Sequence, residues 1–509
     1  MRLALSNSRG ALLLPVLLAF FIPTLPLAAQ SRTNSPVFRS YKPPEELPLL
    51  LQRDPAHQSW QAFVAMRKAN AGDPVAQQEL ALRYFTGTGV MADTVQAALW
   101  MRRAADQNLK EARFNLALFA YHGWGIPWNP FESYRQFLVC AEQDMPEAQY
   151  AVGIFCIENL IMPENWERGY AWVQRAAEGG YAPAREILPS FAQQLSLHRS
   201  DTLTAFPDFG GMTPIQPDTP AVGGGLAELR QALSRADPDT RKALGFARLA
   251  EGEINADSLD LDAISRAADE GSPEALALLG RCAQDGVALP RDRVLAASYF
   301  LRAVRMESQR AGRLLWGMGQ EKDFVPEVRS RADRGDPMAQ YVWAGLLSFG
   351  LDVPLIQAKA YLTGEQAVAL LRKSIGGGYV PARIELGLWY YSGRWVVQDE
   401  RRALELWKEA AEAGNREALL RLAVVKVRSG KAGREELEIL HSASESGAML
   451  ADVALGYCYE SGILVTRSAG EAANLYRLAW RRGSQDAYRA LRRLHDALRP
   501  PDAEFAIGE

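Results

Sequence analysis

The chain is poor in the residues from which catalytic centres are built. Its 509 residues include five histidines and four cysteines. His57, His122, His198, His441 and His495 stand apart, and none has the spacing of the helical zinc motif H-E-x-x-H. No G-x-S-x-G elbow is present. The glycine clusters at 317–319 and 376–378 follow no strand pattern, which excludes phosphate loops. No metal ligand, cofactor-binding residue or catalytic residue is expected, and an enzyme is not the expectation. A surplus of one charge is missing too. With 57 basic and 60 acidic side chains, the net charge of −3 is nearly balanced for this length. That argues against a nucleic-acid partner, which calls for a basic face. Beyond residue 29 no run approaches the roughly 20 apolar residues that cross a bilayer, so the mature chain is expected to have no transmembrane segment.

What the chain has in abundance is one repeated pattern. Residues 73–108 form a 36-residue unit. With Ala76 at position zero, Leu80 falls at +4, Tyr84 at +8, Gly87 at +11, Gly89 at +13, Asp93 at +17, Ala97 at +21, Trp100 at +24 and Ala104 at +28. Apolar residues at i, i+4 and i+8 share a helical face. Asp73 can cap a first helix that opens on Pro74, and Gly87 can end it. Asp93 can cap a second helix. The zero position recurs at Ala112, Ala148 and Ala184, then at Thr240, Ala275, Ala311, Ala339, Ala382, Ala418, Ala451 and Ala487. Independent columns agree. Asn129, Asn165, Asp292, Asp399 and Ser468 stand at +17, and Ser272, Ser308, Asp336, Asn415 and Ser484 at −3, all residue types preferred at helix N-caps. One hairpin cannot bury its own apolar face, so the units must stack. The fold class is an all-α, α/α solenoid of about ten to eleven hairpins of about 36 residues.

The pattern A-x-x-x-L-G-x-x-Y-x-x-G, followed by A-x-x-W/Y and A-A-x-x-G, resembles the Sel-one-like repeats, relatives of the tetratricopeptide repeat. The segments ARIELGLWYYSGRW at 382–395 and ADVALGYCYESG at 451–462 carry the likeness most closely. It covers roughly residues 59–496. The resemblance implies a right-handed superhelix and a role in protein–protein interaction. Some units depart from it. Asn159 stands where the +11 glycine belongs, the unit from Ala311 is short, and the unit from Ala339 carries extra residues near 352–364.

In order, residues 1–29 read as a signal peptide, with Arg2 and Arg9 before an apolar stretch at 11–22 and small residues at 27–29. Export to the periplasm or the medium follows. Residues 30–58 read as a flexible leader, and the helix from Ser59 with Trp60, Phe63 and Val64 as a cap on the stack. The N-terminal array runs to 198. Residues 199–225, rich in Pro, Gly and Thr, are either a linker between two arrays or a long loop within one solenoid. The frame favours the loop, with 226–236 as the missing second helix. The second array runs over 226–498 and ends in a capping helix. The tail 499–509 is expected to be loose.

Four cysteines in an exported chain raise the question of disulfides. Cys140 and Cys156 lie on adjoining helices but are offset along them by roughly 10 Å, beyond the usual Cα separation of about 7 Å. They read as packing residues. Some secreted members of the resembled family use one disulfide per repeat, a pattern that Cys282 and Cys458 do not supply.

The expected function is a non-enzymatic scaffold or adaptor of the cell envelope, monomeric, binding a protein or peptide. Two aromatic clusters exceed what the repeat requires: Trp124 with Trp128, and Trp389 with Tyr391 and Trp395. Phe206 and Phe209 add two rings in the 199–225 segment. These seven are the candidate partner contacts. Replacing Trp389 and Trp395 with alanine is expected to abolish binding and leave helicity intact. The alternatives are an envelope glycan-binding protein, for peptidoglycan or exopolysaccharide, and, on the family resemblance, a β-lactam-binding or β-lactam-hydrolysing enzyme.

Overall fold

The structure, a computed structural model, describes residues 55–201, 260–349 and 364–507. The signal segment, most of the leader, the segment holding Phe206 and Phe209, the helix expected at 226–236 and most of the 352–364 insertion lie outside these residues. Among the described residues there are 22 α-helices and no strand.

The N-terminal array opens on α1, Pro55–Asn70, which begins before the expected boundary at 59. Three hairpins follow: α2 (Pro74–Thr86) with α3 (Thr94–Asp106), α4 (Lys110–His122) with α5 (Pro130–Glu142), and α6 (Pro146–Phe155) with α7 (Trp166–Glu178). α8, Ala182–Asp201, starts a fourth. The second array begins at α9 (Leu261–Asp269), itself a second helix, and continues with α10 (Pro273–Asp285) and α11 (Arg293–Arg305), then α12 (Gln309–Gln320) and α13 (Phe324–Asp333). Next come α14 (Pro337–Phe349) with α15 (Gly364–Gly376), α16 (Val380–Ser392) with α17 (Glu400–Glu412), α18 (Arg416–Arg428) with α19 (Arg434–Glu445), α20 (Met449–Ser461) with α21 (Ala469–Arg481), and the single helix α22 (Gln485–Asp496).

The capping columns act as their chemistry requires. Asp93, Asn129, Asn165, Asp292, Asp399 and Ser468 each accept a backbone N–H in the first turn of a second helix. Ser272, Ser308, Asn415 and Ser484 do the same for first helices. Each described zero-position alanine is buried. A second rule holds each hairpin together. Gly153, Gly280, Gly387 and Gly456 stand at +5, and a Cβ there would strike Val173, Phe300, Trp407 or Tyr476, the residue at +25 of the same unit. The second helix lays a large side chain on the bare backbone of the first. Where +5 is alanine, as at Ala81 and Ala117, Met101 and Phe137 fill the same buried place.

Beyond hairpin stacking, distant units touch. Glu270 pairs with Arg416 and accepts from Ser446, and Glu307 accepts the N–H of Gln485 at 3.0 Å. Arg302 reaches Glu417 at 3.6 Å. The final helix α22 and the residues after it fold onto the first array. The Tyr488 hydroxyl donates to the Asn159 carbonyl at 3.2 Å, Arg492 donates to the same oxygen at 3.1 Å, and Arg499 donates to the carbonyls of Leu160 and Ile161, both at 2.8 Å. Asn159 supplies this carbonyl from a left-handed backbone (φ 51°), which Asn tolerates better than most residues. The expectation of a loose tail is corrected: Ala503–Phe505 is a 3-10 turn, and Phe505 is 1% exposed.

Candidate functional site

The seven candidate rings do not form one surface. Trp389 is 1% exposed, and its indole N–H donates to Glu385 Oε1 at 2.6 Å. Glu385 in turn holds Arg305 at 2.5 Å. Trp389 stands at +7, the register of the buried residues Phe119, Cys282 and Cys458. Trp128 is also buried. Its ring meets His495 of α22 edge-on at 5.1 Å, so the chain's own C-terminal hairpin covers it. Trp124 is half-buried and stacks on His122 at 4.2 Å, and Tyr391 leans on Trp407 at 5.5 Å. The expectation that Trp389 and Trp128 face a partner is therefore corrected: both are packing rings. Of the five candidates among the described residues, Trp395 alone is open, at 46%.

Trp395 owes its exposure to its register. The +13 residue is left-handed in five units, with φ 74° at Gly89, 65° at Gly125, 59° at Ala288, 62° at Leu464 and 62° at Trp395. At Gly125 glycine is required, because a Cβ there would sit 2.8 Å from the Val95 nitrogen of the preceding second helix. At Trp395 a side chain fits because the preceding second helix presents the bare Gly364 there, though the conformation is strained for a non-glycine residue by roughly 1 kcal/mol. The ring lies over Gly364, with Arg394 near its face at 5.8 Å, and the exposed Val397 extends the patch.

A larger apolar surface lies on α1 and α3. Trp60 is 62% exposed and Phe63 50%, their centroids 5.9 Å apart. Met91, Val95 and Leu99 are exposed on the next unit. Phe63 and Leu99 hold the same register one repeat apart, on successive second helices. A Cβ at Gly89 would lie 2.5 Å from the Gln58 carbonyl carbon, which seats α1 as α3 is seated under Gly125. Among the described residues, five of the twelve exposed large apolar side chains fall between residues 60 and 99, which concentrates this surface at the N-terminal end.

The same second-helix face carries the tail on α5 and α7. The Tyr134 hydroxyl donates to Glu504 at 2.7 Å, and Arg168 donates to Tyr134 at 2.9 Å and to Glu504 at 3.3 Å. Arg135 pairs with Asp502 at 2.6 Å. Behind this contact a polar cluster joins the arrays. Arg477 lies over the Tyr121 ring at 4.0 Å and donates to Asn474 at 3.2 Å, while His122 Nδ1 meets Asn474 Oδ1 at 3.0 Å. Burial, aided by the charge of Arg477, lowers the His122 pKa to about 3. Burial lowers His495 to about 3 as well; its Nδ1–H donates to the Leu491 carbonyl at 2.7 Å. Burial raises the Tyr121 pKa to about 12 and lifts that of Glu158 against the pull of Arg477 and Arg481.

The four cysteines are buried and form no disulfide, and burial pushes the Cys140 thiol up to about 12 and the Cys156 thiol to about 11. Such thiols are weak nucleophiles. Among the described residues, no three His, Cys, Asp or Glu side chains gather to hold a metal ion, and no helix is long and apolar enough to cross a membrane.

An all-helical stack of hairpins with a charged seam and open apolar faces defines a helical-repeat protein. The profile of the Sel1 repeat matches residues 74–109, 110–135, 146–181, 273–308, 380–415 and 450–484. The chain thus carries six Sel1 repeats. DAP3-binding cell death enhancer 1 of Rattus norvegicus is 30% identical over 111 residues, which is 22% of each chain. The chain thus spans about a fifth of that relative's length. Among solved structures, a protective antigen of uropathogenic Escherichia coli displaying an SLR fold is 22% identical, covers 82% of this chain and 79% of its own, and has a TM-score of 0.27. A Sel1 repeat protein from Oxalobacter formigenes is 22% identical over 72% of this chain and 80% of its own, with a TM-score of 0.24. TM-scores this low carry no argument about overall shape.

Proposed function

We propose that this protein is a non-enzymatic scaffold of the cell envelope that holds a partner protein against its N-terminal second-helix face. Sel1 repeats generally mediate protein–protein interactions. The observation that carries the assignment to this face is the exposed stripe of Trp60, Phe63, Val95 and Leu99. Exposed apolar side chains of this kind, aromatic rings among them, suit the buried centre of a protein interface. The occupant is an apolar protein surface. Trp60 and Phe63 are open rings of the kind a glycan platform also uses, and the exposed aliphatic side chains Val95 and Leu99 on the next unit favour a protein. The basic, apolar and small residues of 1–29 support export.

The test uses the mature chain from Gln30 as bait in cross-linked envelope extract, beside a Phe63→Asp/Leu99→Asp variant. Both side chains are exposed, so helicity should hold. One saturable protein partner, lost at least tenfold in the variant, is the expected result. Equal capture by both baits would overturn the assignment, and retention of cell-wall glycan alone would move the function to carbohydrate binding.

A further inference from the structure

Residues 502–505 are bound as a ligand would be. Phe505 sits 5.2 Å from Phe131 and 5.8 Å from Tyr134, edge-on to both, with the Arg135 guanidinium 5.5 Å from its ring. Arg499 donates to the Phe505 carbonyl at 2.7 Å. The two acidic side chains before it are read separately, Asp502 by Arg135 at 2.6 Å and Glu504 by Tyr134 at 2.7 Å with Arg168 at 3.3 Å. The buried ring anchors the segment. Both ion pairs are open to water, and such pairs set register more than they hold. Arg168 also borders a shallow hollow on α7 lined by Trp172, Arg175 and Glu178, with Arg175 stacked 5.2 Å from the Trp172 ring.

We infer that this groove is a recognition site for peptides of the form acidic–x–acidic–aromatic, occupied in the resting protein by the chain's own Asp502-Ala503-Glu504-Phe505. The site reads charge at two positions and buries one ring, the division of labour of an anchor pocket with a polar rim. It differs from the α1–α3 stripe in place and chemistry, so either assignment can fail alone. A tethered segment acts at an effective concentration in the millimolar range. The tail therefore excludes weak competitors, and a partner must carry a better version of the same motif or bind elsewhere as well.

The experiment uses a fluorescein-labelled peptide with the sequence of residues 500–509, titrated by anisotropy against the full chain and a chain lacking 502–509. The α21–α22 contacts to the first array remain in the shortened chain. Binding at least tenfold tighter to the shortened chain is expected, together with a tenfold loss when the peptide carries Phe505→Ala or the pair Asp502→Asn and Glu504→Gln. No saturable binding to a shortened chain of full helicity would overturn the inference, as would equal binding by both chains. If the shortened chain loses helicity, full-length Phe505→Ala takes its place. Loss of helicity there as well would make the tail an integral element and overturn displacement. Dimerisation of the wild type that Phe505→Ala abolishes would assign the groove to a second copy instead, against the inference.

Discussion

The contact between +5 and +25 makes a prediction whose sign reverses between two glycines. Gly387 lies in α16 beneath Trp407 of α17. A Cβ built there falls 2.7 Å from Trp407 Cδ1 and 3.0 Å from Cε2, closer than side chains pack. The indole is rigid and cannot swing aside, because its N–H donates to the Ile384 carbonyl at 3.1 Å and the ring is 2% exposed. Gly387→Ala therefore overpacks the hairpin, at about 1–3 kcal/mol, and strains a buried hydrogen bond worth about 1 kcal/mol. Alanine returns about 0.5–1 kcal/mol through the helix backbone. The net is a loss of about 1–3 kcal/mol. Gly317 in α12 meets nothing within 4 Å, so Gly317→Ala keeps the backbone gain alone, about 0.5–1 kcal/mol. Urea midpoints at constant m report both, and hydrogen exchange should place the Gly387 effect in α16 and α17. In a Trp407→Leu background, Gly387→Ala should cost less, a coupling that a double-mutant cycle isolates. A Gly387→Ala protein as stable as the wild type, or a Gly317→Ala protein as damaged as Gly387→Ala, would refute the packing rule.

Other perturbations have equally definite outcomes. Asp452 is fully buried, bonded to Arg482 at 2.8 Å and to Ser444 at 2.5 Å. Asp452→Ala leaves the guanidinium buried without its carboxylate and should cost about 3–5 kcal/mol in urea unfolding; a loss under 1 kcal/mol would contradict the buried pair. His122 and His495, held near pKa 3 against an ordinary value of 6.5, bind more protons unfolded than folded between those limits. Stability should thus be full above pH 6.5 and fall as pH drops toward 3, by at most about 4 kcal/mol per histidine. Urea midpoints that stay flat from pH 7 to 4 would rule this out. Replacing Trp389 with alanine should lower stability by about 3–5 kcal/mol, whereas Trp395→Ala should stay within about 1 kcal/mol. Thermal scans of the two variants decide this, and equal losses would contradict the assigned burial.

Spacing revealed local geometry well. The columns at zero, −3 and +17 placed hairpins and caps because each reports contacts within one unit, and a period exposes them. The +7 column held an unused signal: Phe119, Cys282 and Cys458 mark that register as core, so Trp389 was legible as packing. The pairing of +5 with +25 was legible in the same way, since small and large residues exchange across units. Trp128, Asn159 and Phe505 were not legible. Their partners lie hundreds of residues away, as Asn159 does from Tyr488, and a contact made once in a chain has no period. The candidate surface on α1 was not in view, because Trp60 and Phe63 read only as part of a helix capping the stack. That they continue into Val95 and Leu99 needed the stacking of α1 on its neighbour.

The docking of α22 and Phe505 onto the first array alters how this chain must be made. An open helical stack can consolidate unit by unit as it leaves the ribosome, because each unit depends only on its neighbours. Here Trp128 stays uncovered until His495 has been synthesised, and Tyr134 gains Glu504 only at the end. The first array must wait, with a tryptophan and a polar seam exposed, for the final hairpin. Contacts of such sequence separation slow folding and expose the unfinished chain to misassociation. Chains truncated before α21 should therefore be more prone to aggregation in proportion to the first array they carry, while chains stopping after α22 should not.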